Sequence, residues 1–325
     1  MADQQTDGAA LRLAFVGQQT FFRACALDER SERVETTYID YRAGRDPALM
    51  RSRLDAFKPD AVVLFRPETV PAGVLADLPA AILGFLTEPV SREHDGAVRH
   101  WDLELRRKAL LGLDPANVDR LVSFDPLIVP TVEEIMEVWR SLPIPVGDRF
   151  YRPVRRLRPE DGPPKMLFVG RSTVHRERYL LEVKHRFDCL HAAFGIQDDE
   201  LEGLLERHHI TFNIHNEPYP SFENRVFIHL AAGHLVITEP LSPPHGLEPG
   251  VDLIVIDSPE ELLAAATEAH DDFDRFHAMR ESGRQKAEAV RASRVWPQLV
   301  SDMLADIAER GTHRSAGPER APVPA

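Results

Sequence analysis

Short apolar runs recur along the first part of the chain, and polar stretches with helical spacing separate several of them. The runs are "LRLAFVG" (11–17), "VETTYIDY" (34–41), "AVVLF" (61–65), "AAILGFL" (80–86) and "RLVSF" (120–124). Between them "ALMRSRLDAF" (48–57) and "DLELRRKALLGL" (102–113) repeat at the period of a helix. Strands that are apolar almost throughout are covered on both faces, so this alternation predicts a parallel, doubly wound sheet. A second series starts at residue 165: "KMLFVG", "FDCLHA", "ITFNIH", "LVIT" and "DLIVI" as strands, with "ERYLLEVKH", "DDELEGLLERH" and Val226–Ala232 as helices among them. Further helices run to about residue 310. In "ASRVWPQLVSDMLADI" (292–307), Val295, Leu299, Val300, Met303, Leu304 and Ile307 form a stripe that predicts a buried helix face.

The two series meet at "PIPVGDRFYRPVRRLRPEDGPPK", which has no sustained period and reads as a connector. A chain of 325 residues fits two domains better than one. The expected division is a first α/β lobe over 10–142, a linker over 143–164, a second α/β lobe over 165–292, a C-terminal helix over 293–310 and a disordered tail over 311–325. No apolar run reaches the length of a membrane span, and the amino-terminal text lacks the basic start of a signal peptide. With two cysteines far apart in sequence, Cys25 and Cys189, no disulfide framework is indicated and a cytoplasmic location is expected. A formal charge of −13 argues against nucleic acid as the main partner.

Ligands of doubly wound sheets bind beyond the carboxyl ends of the strands, so the loops after Gly170, Ala192, Ile214 and Thr238 are the candidate site. In "LFVGRSTVHRER" a strand ends at Gly170 and is followed by Arg171, Ser172, Thr173, Arg176 and Arg178. Glycine lets a ligand approach the backbone, and arginines at a helix start clamp phosphate; a solvated helix face is the plainer alternative. Neither G-x-G-x-x-G nor a Walker A pattern occurs, which weakens dehydrogenase and nucleoside-triphosphatase readings. In "EPYPSFENRVFIHLAAGHLVITEP" (217–240), Ser221 is the expected N-cap of the next helix, with Glu223, Asn224 and Arg225 in its first turn. His215, Asn216, Tyr219 and Phe222 complete the candidate contacts around that helix. Histidines 208, 209, 215, 229, 234 and 245 show no zinc-ligand spacing, so no metal is expected.

The run "FVGRSTVHR" resembles the start of the C-terminal lobe of GT-B glycosyltransferases. The segment 221–262 is similar to their donor-sugar motif, nearest the CgeB-like group, with Arg225-Val226-Phe227, Ala231-Ala232-Gly233, Pro249-Gly250 and Pro259-Glu260-Glu261-Leu262 in order. The similarity covers roughly residues 165 to 265. It implies two Rossmann-like lobes facing an interlobe cleft, with an acceptor lobe first, a donor lobe second and a terminal helix returning to the first. The implied activity is metal-independent, cofactor-free transfer of a sugar from a nucleotide diphosphate sugar to a glycan or small-molecule acceptor hydroxyl. One departure stands out: the resemblance implies a ribose-holding glutamate where this chain has Ile228, and its companion falls at Pro220. Asn224, one turn before 228, and Glu223 are the expected substitutes. Glu88, His94 and Asp95 follow the fourth strand, with Glu88 and His94 the candidate catalytic bases there, and Glu223 is a further candidate catalytic residue at the donor helix. A binding protein that lost transfer, and a sugar-nucleotide epimerase of the same architecture, are the alternative functions.

Overall fold

The computed structural model describes residues 10–28, 31, 33–92, 100–193, 196, 198–312 and 314. The chain divides into two compact units, one made of residues up to Leu142 together with those from Trp296 onward, the other of Pro143–Val295.

In the first unit the elements run β1 (Leu11–Gly17), α1 (Gln19–Phe22), β2 (Val34–Asp40), α2 (Pro47–Phe57), β3 (Ala61–Phe65), β4 (Ala81–Leu86), α3 (Trp101–Leu110), β5 (Arg120–Ser123), α4 (Val129–Val132) and β6 (Arg140–Ser141). The strands form one sheet in the order β2-β1-β3-β4-β5-β6, and every pairing is parallel. β3 is buried at all five positions, which is why its sequence reads as unbroken apolar text. α2 starts where the Asp46 side chain accepts from the Ala48 amide, with Pro47 in its first turn, and ends at Lys58 in a left-handed conformation.

Residues of α10 (Ala292–Arg310) from Trp296 onward complete this unit. Trp296 is fully buried, its edge toward Phe15, Phe65 and Phe85 at centroid distances of 5.3, 6.0 and 5.8 Å. Its Nε1 donates to the carbonyl of Cys25 at 2.8 Å, satisfying the one polar atom of the ring. Of the tail expected to be disordered, the described Thr312 and Arg314 are packed: Arg314 donates to the carbonyls of Leu75, Leu78 and Ala80 and pairs with Asp119. The remainder of that tail lies outside the described residues.

The second unit contains β7 (Met166–Val169), α5 (Val174–Arg186), β8 (Cys189–Ala192), α6 (Asp198–Arg207), β9 (Ile210–Asn213), α7 (Arg225–Ala231), β10 (Leu235–Thr238), β11 (Ile254–Val255), α8 (Pro259–Asp271) and α9 (His277–Ala287). Its sheet order is β11-β10-β9-β7-β8, again parallel throughout. Residues 143–164 run along this unit. Arg152 N donates to Ala231 O at 2.9 Å, and Arg280 Nη1 and Arg284 Nε donate to the carbonyls of Arg155 and Arg152. The chain passes from β7 outward to β8 and then back past β7 to β9, so the order reverses between β7 and β9. Such a reversal splays the two following loops apart and opens a crevice at the strands' carboxyl ends.

α7 is buried from Val226 to Ala231. It stops because Gly233 takes a left-handed turn at φ 77°, with Gly233 N bonded to Leu230 O and His234 N to His229 O. The two histidines bracketing that turn are bonded to each other, Nδ1 to Nδ1 at 3.1 Å, and His234 Nε2 donates to Leu205 O at 2.8 Å. A carbonyl can only accept, so His234 carries its proton on Nε2 and receives the one on His229 Nδ1. Burial and the neighbouring histidine push His229 well below its ordinary range, and burial holds His234 at about 3. These residues are a structural latch between helix and strand.

Candidate functional site

The crevice between β7 and β9 is lined by arginines. β7 ends at Val169, and Gly170 follows with φ 156°. A Cβ there would stand 2.8 Å from Arg225 Nη1 and 3.2 Å from Arg176 Nη1, so glycine is what lets two guanidinium groups close on the backbone. Thr173 caps α5 by accepting from Arg176 N at 3.2 Å, which sets Arg176 on the first turn, pointing back over the sheet.

Arg176 is 3% exposed. Its Nε donates to Ile214 O at 2.9 Å and its Nη1 to Arg171 O at 3.2 Å, so carbonyls from both crevice loops fix it. Arg225 Nη1 donates to Val169 O at 2.8 Å. Both guanidinium groups lie over the buried ring of Phe168, at 5.4 and 5.5 Å from its centroid. Arg171, exposed at the rim, donates from Nε to Asn216 Oδ1 at 2.7 Å. Asn216 also ties the loops together by accepting Thr173 Oγ1 on its carbonyl at 3.0 Å.

One carboxylate touches both the buried Arg176 and the half-buried Arg225. Glu223 Oε2 lies 2.8 Å from Arg225 Nη2, and Oε1 lies 3.4 Å from Arg176 Nη2. Burial would raise the Glu223 carboxyl, but Arg225 and Arg176 outweigh it and hold the group at about 2. So strong an acid is a poor proton acceptor at neutral pH. Burial and Arg225 weaken the hold of Arg176 on its proton, and Glu223 partly restores it.

Beside this cluster lies a network centred on Glu239, which the sequence reading did not single out. Glu239, the residue after β10, accepts from His175 Nε2 at 2.9 Å and from His215 N at 2.6 Å. Burial opposes its ionisation, but His175 and His215 lower its pKa. Its place directly after "LVIT" was the one sequence signal that could have found it. His215 Nε2 donates to Pro240 O at 2.9 Å, which leaves Nδ1 to accept the Ser221 hydroxyl at 3.2 Å. Burial keeps His215 neutral by lowering its pKa.

That bond corrects the expected cap. Ser221 is committed to His215, and the helix begins at Arg225 with Asn224 in the N-cap position making no side-chain cap bond. The Val226 amide donates to Glu223 O at 3.0 Å. With only seven residues and its Val226 amide engaged, α7 offers no helix-end anion site of its own.

The remaining candidates are dispersed. Ser172 donates to Glu177 at 2.6 Å, and Glu177 also pairs with Lys184 of α5 and lies 3.5 Å from His191 of β8. Phe222 packs on Phe227 and His245, at 5.3 and 4.6 Å between ring centroids, and Tyr219 is buried. In the first unit Glu88 is paired with Arg106 and lies 3.5 Å from Arg66. His94 lies outside the described residues. Among the described residues, no group of three or more His, Cys, Asp or Glu side chains could hold a metal ion, and no helix is long and apolar enough to cross a membrane.

Residues 171–299 match the model of a family described as glycosyl transferase-like. None of the curated proteins matches the sequence. Among solved structures, sucrose-phosphate synthase from Thermosynechococcus elongatus is similar at TM-score 0.57 and 10% identity, over 92% of this chain and 100% of that one. HepE from Anabaena, in complex with UDP-glucose, gives TM-score 0.56 and 11% identity over 91% of this chain and 100% of its own. The α,α-trehalose 6-phosphate synthase from Burkholderia multivorans gives 0.51 and 11%, over 96% and 100%. The fold is GT-B. In this GT-B chain the matched glycosyl transferase-like region contains Arg171, Arg176, Arg225 and Glu223.

Proposed function

We propose that this GT-B chain is a glycosyltransferase that takes a sugar from a nucleotide diphosphate sugar and passes it to the hydroxyl of a glycan or small-molecule acceptor. The observation that carries the reading is the convergence of Arg176 and Arg225 on Gly170, with Arg171 at the rim on Asn216, at the point where the second sheet's strand order reverses. Guanidinium groups held in advance by backbone carbonyls stabilise charge developing on a leaving diphosphate without having to reorganise as it departs. In this proposal those arginines supply the positive charge at the diphosphate, and Asn224, at the mouth of α7, contacts the donor ribose. Neighbours that carry UDP-glucose in the same fold support a sugar nucleotide as donor. Two free cysteines support a cytosolic setting, the order of landmarks after Arg225 supports the CgeB-like group, and the charge of −13 supports an acceptor other than nucleic acid.

A second reading has its own observation. Ile228, where the resemblance implies a glutamate, is 5% exposed within a helix buried on every side, as suits a donor-binding protein without transfer activity. A thermal-shift panel of nucleoside diphosphates and their sugars tests the shared premise, because a ligand at 100 times its Kd stabilises the native state by about 2.7 kcal/mol. No shift with any of them at millimolar concentration rejects both readings. A shift without turnover of any donor selects the second.

A further inference from the structure

We propose that Glu223 is a resident counterion, which occupies the place of the incoming diphosphate and must be displaced for the diphosphate to bind. The inference rests on the donor-site reading above and adds a specificity-determining residue to it.

Three features point there. The Glu223 side chain is 26% exposed, whereas those of Arg176 and Arg225 are 3% and 13% exposed, so the carboxylate lies on the solvent side of the two guanidinium groups, where a ligand arrives. Each guanidinium keeps carbonyl partners that do not involve Glu223: Ile214 and Arg171 for Arg176, and Val169 for Arg225. Removing the carboxylate therefore leaves both donors aimed as before. Glu223 itself belongs to the irregular stretch between β9 and α7, and its contact to Arg176 is long at 3.4 Å, so the 2.8 Å pair with Arg225 is the main bond that must break for it to swing out.

The charge balance then sets selectivity. One carboxylate faces the guanidinium groups of Arg176 and Arg225, with Arg171 at the rim. A ligand carrying one negative charge gains little by exchange for Glu223, whereas a diphosphate brings at least two charges and more acceptor oxygens for the same donors. Mild acidification leaves the carboxylate charged, because Arg225 and Arg176 lower the Glu223 pKa to about 2. A competing anion is what removes it.

The test is calorimetric titration of the full chain with inorganic pyrophosphate and with uridine diphosphate, comparing wild type with Glu223→Gln. The glutamine keeps size and polarity but removes the competing charge, so both ligands are expected to bind at least fivefold more tightly. Equal or weaker binding to the variant, with wild type binding both, overturns the counterion role and leaves the donor-site reading standing. If neither protein binds either ligand at millimolar concentration, the donor-site reading itself fails. Should Glu223→Gln not fold, Glu223→Asp retains the charge while withdrawing it by one methylene, and is likewise expected to tighten pyrophosphate binding. A crystal structure of the wild type with pyrophosphate decides independently: Glu223 is expected to have left both arginines, and a carboxylate still within hydrogen-bond distance of them overturns the proposal.

Discussion

Lowering the pH from 7 to 5 is expected to unfold the second unit before the first. The perturbation acts on the latch at the end of α7. Protonating His234 at Nδ1 would set an N–H against the N–H that His229 already donates, so the folded state refuses the proton. The His234 pKa is about 3 in the fold against an ordinary 6.5, so between those values the unfolded chain binds more protons and stability rises with pH. Going down to pH 5 crosses about 1.5 units below the unfolded value, a loss of about 2 kcal/mol from this one residue. His229, displaced further by burial and by His234, and His215, displaced by burial, act in the same direction. A domain holds about 5–15 kcal/mol in all, so the loss is a sizeable fraction of it. Among its described residues the first unit shows no such pair. Its one described histidine is His100, and its buried Asp125 is raised by burial, which costs stability as pH rises rather than as it falls. All three tryptophans, Trp101, Trp139 and Trp296, belong to the first unit, so fluorescence follows that unit alone while far-UV circular dichroism follows both. Urea melts at pH 7 and pH 5 should show the dichroism transition moving ahead of fluorescence at the lower pH. Transitions that coincide at both pH values, or fluorescence that moves first, refute the reasoning.

Arg171→Ala removes an exposed guanidinium and should leave thermal stability within about 0.5 kcal/mol of wild type, while weakening nucleoside diphosphate binding by about 1.5–3 kcal/mol. Arg176→Ala should show that same loss in calorimetry and, by stripping a partner from the Ile214 carbonyl, a further loss of about 1–3 kcal/mol in stability; affinity unchanged in both variants removes the clamp. Ile228→Glu puts a carboxyl among apolar neighbours, where burial lifts its pKa above the ordinary value of about 4.3. Its destabilisation should therefore be small at pH 4 and grow toward pH 8, and an equal melting temperature decrement at both would mean the carboxylate has found water or a cation. Trp296→Phe leaves the Cys25 carbonyl without its donor and a gap among Phe15, Phe65 and Phe85, for an expected loss of about 2–4 kcal/mol in denaturant melts.

Much of the fold was legible because parallel strands buried on both faces leave an uninterrupted apolar signature. "AVVLF" and "LVIT" coincide with β3 and β10. The edge strand β6 escaped, since its two exposed residues, Arg140 and Ser141, carry no such signature. The Gly170 and Arg171–Arg176 cluster could be located from the rule that loops after strands hold ligands. What sequence could not give was which polar residues those loops would spend on one another. Ser221 has the local chemistry of a cap, but a histidine six residues earlier takes its hydroxyl. Glu223 read as a ribose contact or catalytic residue because nothing in the sequence reveals that Arg176, 47 positions before it, ends beside it. Local propensity was overruled in each case by a contact made only after the sheet has assembled.

Phe168 links two properties that are often assumed to be separable. Its ring belongs to the sealed interior of the second sheet, edge-on to His191 at 5.0 Å, and the same ring carries the guanidinium groups of Arg176 and Arg225 on its surface. Improving the packing there in search of heat resistance would tilt the platform on which the arginines rest. Directed evolution of this protein for robustness should therefore find position 168 closed to it, and gains should accumulate instead at core positions remote from the β7–β9 crevice.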